Sequence, residues 1–200
     1  MKHFDLVIVG GGIAGCCAAY YAAQRGKSIL WFDQAKKNVS SSVAAGMVNP
    51  IVLRRFTKSW MADTLLPHAR SFYHNFDDLT SQKSFYEIPI YRVFASKEEK
   101  ALWHKKMAKE GFSEYMAIPE DSPKEPNIHD QHGYGLIKGG GYLNVNNFMP
   151  LMKAYIQDAT QCQVETTLFQ HEALQPENKT YKDVYHFDHL LFCEGQQVYT

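Results

Sequence analysis

The sequence predicts an α/β fold in which a parallel-sheet domain is interrupted by an inserted second domain. Three observations predict it. Phe4–Val9 is a short, β-branched apolar run that leads into glycines and then into an alanine-rich helical stretch. The middle of the chain switches to a longer excursion of helix, strand, helix and strands. Apolar strand patterns then return near the end. The expected division gives residues 1–60 and 140–200 to the first domain and 61–139 to the second, read as part of an α+β domain based on an antiparallel sheet.

The elements follow in order. Phe4–Val9 reads as a buried parallel strand, Ile13–Arg25 as a helix closed by Gly26, and Ser28–Phe32 as the next strand, ending at Asp33. Lys36–Ser42 is small and polar and reads as a loop. Ser59 to about Leu79 carries apolar residues at helical spacing, with Pro67 as a possible kink. Phe85–Ala95 is strand-like, broken or edged by Pro89. Lys97–Glu110 is a charged helix stopping at Gly111, and Glu114–Asp130 is irregular. Tyr134–Lys138 and Tyr142–Val145 read as strands around Gly139-Gly140-Gly141. Asn146 is placed to cap a helix running to Ala159. Cys162–Thr167, Phe169–Leu174, Val184–Phe187 and His189–Cys193 all read as strands.

Composition narrows the function classes. A hydrophobic fraction of 45% and an aromatic fraction of 14% suit a globular chain with a real core. Lys+Arg and Asp+Glu both number 21, which argues against a nucleic-acid backbone or an anionic membrane as the main partner. The four cysteines, Cys16, Cys17, Cys162 and Cys193, form no C-x-x-C pair, so neither a zinc knuckle nor a thioredoxin-type motif is present, and no metal site is expected. That usage suits a reducing compartment. Asp5 and the glycines interrupt any signal-peptide core, and no apolar stretch reaches membrane-spanning length, so the expected location is the cytoplasm.

Gly10, Gly12 and Gly15 form G-x-G-x-x-G directly after a strand and at the opening of a helix. Gly10 permits the tight turn, Gly12 lets backbone approach a pyrophosphate, and Gly15 lets helix and strand pack closely. The free amides and the positive end of the helix dipole then face phosphate, with Ile13 and Ala14 in that first turn. The bland alternative is a glycine-rich turn that binds nothing. Asp33, followed by Gln34, stands where an acid accepts hydrogen bonds from ribose hydroxyls and repels a 2′-phosphate, which disfavours NADP. The architecture is therefore Rossmann-like, and the ligand a dinucleotide.

The fingerprint does not by itself separate NAD from FAD, and the segment Ser40-Ser41-Ser42-Val43-Ala44-Ala45-Gly46-Met47-Val48-Asn49-Pro50 helps. Here the sequence resembles the FAD-dependent oxidases of the D-amino-acid oxidase and glycine oxidase type. The resemblance implies that this loop, through Ser41, Ser42, Ala44, Ala45, Gly46 and Met47, lies along the pyrophosphate and ribityl chain of FAD. Gly139–Val145 resembles the strand returning from the substrate domain. Gln163–Phe169 resembles the strand whose end touches adenine, with Phe169 in the end position. Leu190–Gly195 resembles the apolar strand ending in A-T-G or A-x-G, with Cys193 and Glu194 replacing the smaller pair before Gly195. The resemblance covers nearly the whole chain as the N-terminal portion of a family member. More substrate domain and a segment reaching the flavin ring are expected beyond Thr200.

Three further residues are candidates for chemistry. Arg54, in Asn49–Arg55, is either a cation near the ring that stabilises reduced flavin or part of a solvated basic pair. Arg92 either pairs with a substrate carboxylate or is an ordinary half-exposed strand arginine. Tyr142 reads first as a core tyrosine, with the flavin cavity as the alternative. Cys16 and Cys17 could feel the helix dipole, against a reading of buried packing. The resemblance implies oxidation of an amine or amino-acid substrate by hydride transfer to flavin, with oxygen or another acceptor taking the electrons. Other functions stay open: FAD-dependent modification of the wobble uridine of tRNA, a 2-hydroxy-acid dehydrogenase, or a non-catalytic binding protein that keeps the FAD fold.

Overall fold

The structure, a computed structural model, describes residues 1–34, 40–121, 128–159 and 161–195. Met1–Ala44 and the chain from Val145 onward form one compact unit, and Ala45–Asn144 forms another. The first unit opens with β1 (Lys2–Val9), α1 (Ile13–Ala23), β2 (Ile29–Phe32) and the single turn α2 (Ser40–Val43). The second holds β3 (Met47–Val48), β4 (Ile51–Val52), β5 (Thr57–Lys58), α3 (Ala62–Thr80), β6 (Phe85–Glu87), β7 (Ile90–Val93), α4 (Lys97–Met107), β8 (Met116–Ala117), β9 (Tyr134–Ile137) and β10 (Gly141–Leu143). The chain returns to the first unit through α5 (Val145–Ala159), β11 (Cys162–Glu165), β12 (Leu174–Gln175), β13 (Thr180–Tyr181) and β14 (Tyr185–Phe192).

The first unit is built on a sheet of order β11-β2-β1-β14-β13-β12. The four strands from β11 to β14 are parallel, and β13 and β12 add on antiparallel. Ile29, Leu30, Trp31 and Phe32 are all buried, so β2 is a central strand covered on both faces. Val9 stands opposite both Phe32 and Phe192, and Phe32 stands opposite Glu165. The carboxyl ends of all four parallel strands thus share one edge, where open α/β sheets bind their ligands.

Asp5 fastens β1 to the start of β2. Its carboxylate accepts from the Ser28 hydroxyl at 2.6 Å, the Ser28 amide at 2.8 Å and the Lys27 ammonium at 2.9 Å. The Ser28 hydroxyl and then Lys27 hold the Asp5 carboxyl well below the usual carboxylate range. A depressed folded-state pKa means the contribution is present above the unfolded value and is lost as pH falls through the folded one.

The second unit is antiparallel throughout. It contains the sheets β3-β10-β6 and β7-β9-β8 and the hairpin β4-β5. Its core joins Ile51, Phe56, Phe94, Trp103, Met116 and Ile137. Trp103 meets the rings of Phe56 and Phe94 edge-on and donates its indole N–H to the Ala117 carbonyl at 3.2 Å. Asp77, near the end of α3, accepts from the amides of Ser84 and Phe85 and so aims β6.

Several elements differ from the sequence expectation. The first boundary falls after Ala44 rather than near 60, because β3 pairs with β10 inside the second unit. The second falls at Val145, where α5 begins, so Val145 opens a helix instead of closing a strand. Part of the expected loop 36–42 forms α2, while 36–39 lie outside the described residues. β8 lies in the stretch 114–130 expected to be irregular, of which 122–127 lie outside the described residues. Of the expected strand Phe169–Leu174 only Leu174 is one, opening β12: Gln170 donates its amide to the Tyr181 hydroxyl at 3.0 Å, and His171–Ala173 forms a 3-10 turn. The two strands expected at 184–187 and 189–193 are one continuous β14. The intervening Asp188 faces outward to His3, at 3.1 Å, and does not break it. Among the described residues no helix is long and apolar enough to cross a membrane.

Two measurements check this account. The thermal midpoint falls as pH drops below about 4, and Asp5→Asn flattens that fall when the two are scanned side by side. Trp103→Ala costs about 3–5 kcal/mol in urea unfolding. Trp60→Ala, at a side chain 81% exposed, costs under about 0.5 kcal/mol.

Candidate functional site

At the carboxyl edge of the first unit's sheet, β1 turns into α1 with almost no room. Gly10 has φ 111, a conformation side chains rarely adopt, and a Cβ there would run into the carbonyl of Cys193. A Cβ on Gly15 would run into the Gly10 carbonyl oxygen and would stand 3.5 Å from the Cys193 side chain. Cys193, just past β14, donates its amide to Val9 at 2.6 Å. The Gly10 amide donates to Phe32 at 2.8 Å, and the Gly10 carbonyl accepts from the Trp31 indole at 3.1 Å. The turn is therefore clamped by both strands that flank β1.

Gly12 is the extended N-cap of α1 and supplies no side-chain cap. Ser41, from α2, takes that part: its hydroxyl accepts from the Ile13 amide at 3.1 Å and would stand 3.2 Å from a Cβ on Gly12. Ala14 is exposed, and the first turn of α1 carries no acid. The positive end of the helix dipole is thus offered without an opposing carboxylate on its own turn. Asp33 lies directly over the glycines, since its carboxylate fills the space a Gly11 side chain would need. Lys153 of α5 also reaches it and donates to Oδ2. Half-buried Gln34 follows.

The remaining expected contacts divide. Half-buried Cys193 and Glu194 and exposed Gly195 stand just past β14, with Glu194 paired to His171 at 3.1 Å. Ser42 and Ala44 are exposed in the first unit. In the second, Ala45 and Met47 are exposed, and Gly46 has φ 70 with its carbonyl accepting from the Leu143 amide at 2.9 Å. Phe169 does not hold the end position of its strand. β11 stops at Glu165, and the Phe169 ring is buried at 3% exposure, stacked on Tyr181 at 4.5 Å and edge-on to Phe32 at 5.1 Å. Burial pushes the Cys16 thiol up to about 12 and the Cys17 thiol up to about 11, so desolvation outweighs any help from the helix dipole and both act as packing residues.

The chemical candidates also divide. Arg92 is committed within the second unit: its Nε and terminal nitrogen reach Glu99 Oε1 at 3.0 and 2.5 Å. Burial raises the Glu99 carboxyl, but the Ala95 amide and Arg92 together carry it below its ordinary range. A substrate carboxylate would have to displace that partner. Tyr142 is not a core tyrosine; it is 38% exposed and stacks on Tyr86 across β10 and β6 at 6.2 Å. Arg54 is exposed on the turn between β4 and β5, with no ion pair among the described residues. Sequence reasoning missed Trp31, Lys153 and His171. Lys153 carries no local signal, because only the fold brings α5 to the end of β2.

A family model described as FAD dependent oxidoreductase (DAO) matches residues 5–193. The chain belongs to this DAO family. FAD is the cofactor of the family, and the first unit passes the test of fitting it: the cradle is closed to side chains, free of first-turn acids and overlooked by Asp33. Among solved structures, this DAO-family chain is similar to glycine oxidase from Geobacillus kaustophilus, with TM-score 0.74 and 16% identity over 98% of this chain and 56% of that one. L-proline dehydrogenase from P. horikoshii matches with TM-score 0.72 and 14% identity over 96% and 53%. L-amino acid deaminase from Proteus myxofaciens, in complex with anthranilate, matches with TM-score 0.70 and 13% identity over 98% and 46%. The chain spans about half the length of these proteins.

Gly10→Ala is expected to destabilise the protein far more than Gly26→Ala. Gly26 also has positive φ, at 65, but nothing stands within 4 Å of an added Cβ. The second change should cost about 1–2 kcal/mol, the first more, in urea unfolding.

Proposed function

We propose that the chain is the FAD-holding part of a flavoenzyme that oxidises a small amine or amino acid. One observation carries the reading. A glycine turn sealed by Cys193 presents the amide end of α1, and the Asp33 carboxylate lies over that turn, in a chain of the DAO family. The amides of Gly12, Ala14 and Gly15 would hold the pyrophosphate, that of Ile13 being donated to Ser41, with Gly10 shaping the turn. Asp33 would accept from the ribose hydroxyls, with half-buried Gln34 beside it. Ser41 and Ser42 in α2, and Cys193, Glu194 and Gly195 past β14, border the cofactor. Ala44, small and exposed just past α2, adds no bulk there. An oxidase, a dehydrogenase and a deaminase of amino acids by name among the similar structures support the substrate class.

FAD, when bound, would supply a two-electron acceptor for the hydride on the carbon bearing the amine, with oxygen or another acceptor to reoxidise it. The chain's own residues bind, orient and exclude water. Arg54 and Tyr142, both exposed in the second unit, are the residues we assign to the substrate side, with Arg54 as the cation. Arg92 is assigned to structure. The four free thiols support a reducing, cytoplasmic setting, and the balanced charge supports a small-molecule partner over nucleic acid.

The test is the visible spectrum of the purified full-length protein, followed by denaturation and identification of what is released. Flavin bands, release of FAD, and bleaching on anaerobic addition of one member of an amine and amino-acid panel are expected. A colourless protein that cannot be reconstituted with FAD would overturn the reading. Bound FAD that no amine or amino acid reduces would overturn the substrate class alone.

A further inference from the structure

Lys153 stands in α5, far from the glycine turn in sequence, yet its ammonium donates to Asp33 Oδ2. This is not a loose surface bridge. The Asp33 side chain keeps 14% of its exposure and Lys153 keeps 30%. The ammonium also lies 5.9 Å from the centre of the Trp31 ring, whose indole N–H holds the Gly10 carbonyl. Asp33 is fixed from other directions as well. Its amide donates to Glu165 at 2.9 Å, and its carboxylate rests where Gly11 has no side chain. A carboxylate accepts at about four lone-pair sites, and donation from the lysine to one oxygen sets its orientation. The ammonium also offsets a negative charge that would otherwise oppose an anion at the end of α1.

We propose that Lys153 is a positioning residue of the dinucleotide site: it holds the Asp33 carboxylate over the glycine turn, oriented to receive the ribose hydroxyls. The proposal rests on the FAD reading above. Lys153 acts through Asp33, not by touching the reacting atoms. A group held in its bound geometry loses less freedom when the ligand arrives, so the clamp appears as affinity.

The experiment titrates the full-length apoprotein with FAD, followed by quenching of flavin fluorescence. It compares wild type, Lys153→Met, Asp33→Asn and the double variant, with thermal midpoints measured alongside. Lys153→Met is expected to weaken FAD binding about tenfold. In the Asp33→Asn background the same change is expected to matter less than about twofold, because its target is gone. A merely structural lysine would show the same loss in both backgrounds. Lys153→Arg, which keeps a charged donor, is expected to recover part of the affinity. Lys153→Gln, of similar polarity, carries the comparison should the methionine variant fail to fold. Equal FAD affinity of wild type and the Lys153 variants overturns the inference and leaves the FAD reading standing. An equal loss in both backgrounds does the same. Failure of the wild-type apoprotein to take up FAD overturns both.

Discussion

Three pieces of backbone meet at Gly10 with no space for a side chain between them: the end of β1, the first turn of α1 at Gly15, and the chain leaving β14 at Cys193. This approach governs the first unit. The glycine turn is written in residues 10–15, but it is closed only when β14 comes back beside β1. The Cys193 amide then reaches Val9 at 2.6 Å. The pairing from Lys2↔Tyr185 to Val9↔Phe192 delivers Cys193 to that place, and a shift by one residue would turn every β14 side chain to the wrong face. The long excursion between β2 and α5 is affordable because loop-closure entropy grows only slowly with length.

Electrostatics near the turn follow the same economy. An anion site at a helix N-terminus tolerates nearby carboxylates only if each has a partner. Asp33 has Lys153, and Glu194 has the His171 ring, itself stacked on Phe192 at 5.2 Å. The first turn of α1 carries no acid at all. The aromatic cluster of Phe32, Phe169 and Tyr181 lies behind this edge and packs the sheet. Phe169 is better understood as part of that packing than as a surface for adenine.

What the sequence made legible was local. The glycine spacing, the strand before it, the helix after it and the acid ending β2 lie within a short stretch, and each has a physical meaning at its own position. What it hid depended on distant partners. Lys153 looks like any helix lysine until α5 is laid beside the end of β2. Trp31 looks like core until its N–H is seen on Gly10. Asp188 separates the two expected strands of what is one β14, because an outward-facing polar residue on a strand imitates a turn. The boundary near 60 was misplaced because β3 is two residues long, too short to show a period, and only its pairing with β10 assigns it. Arg92 looked available because Glu99 sits on the following helix, where sequence alone cannot bring the two together.

The same reasoning separates the second unit's arginines. A cation that serves a ligand must not already be neutralised, since displacing a half-buried carboxylate costs more than a new contact returns. Arg92 is held by Glu99, and Arg70 gives a 2.5 Å hydrogen bond to the Gly139 carbonyl with Glu87 nearby. Arg54 and Arg55 remain, exposed on the β4–β5 turn. That turn is not a free loop. Phe56, the residue after Arg55, takes the left-handed φ of 47 and is buried at 2% exposure in the cluster with Ile51 and Trp103. A bulky residue in that conformation persists only when its surroundings hold it. The core beneath therefore fixes the turn, and the turn displays Arg54 on a rigid base. An unpaired charge on a fixed backbone is what an electrostatic role requires, and among the described arginines of this unit only the pair at 54 and 55 has it.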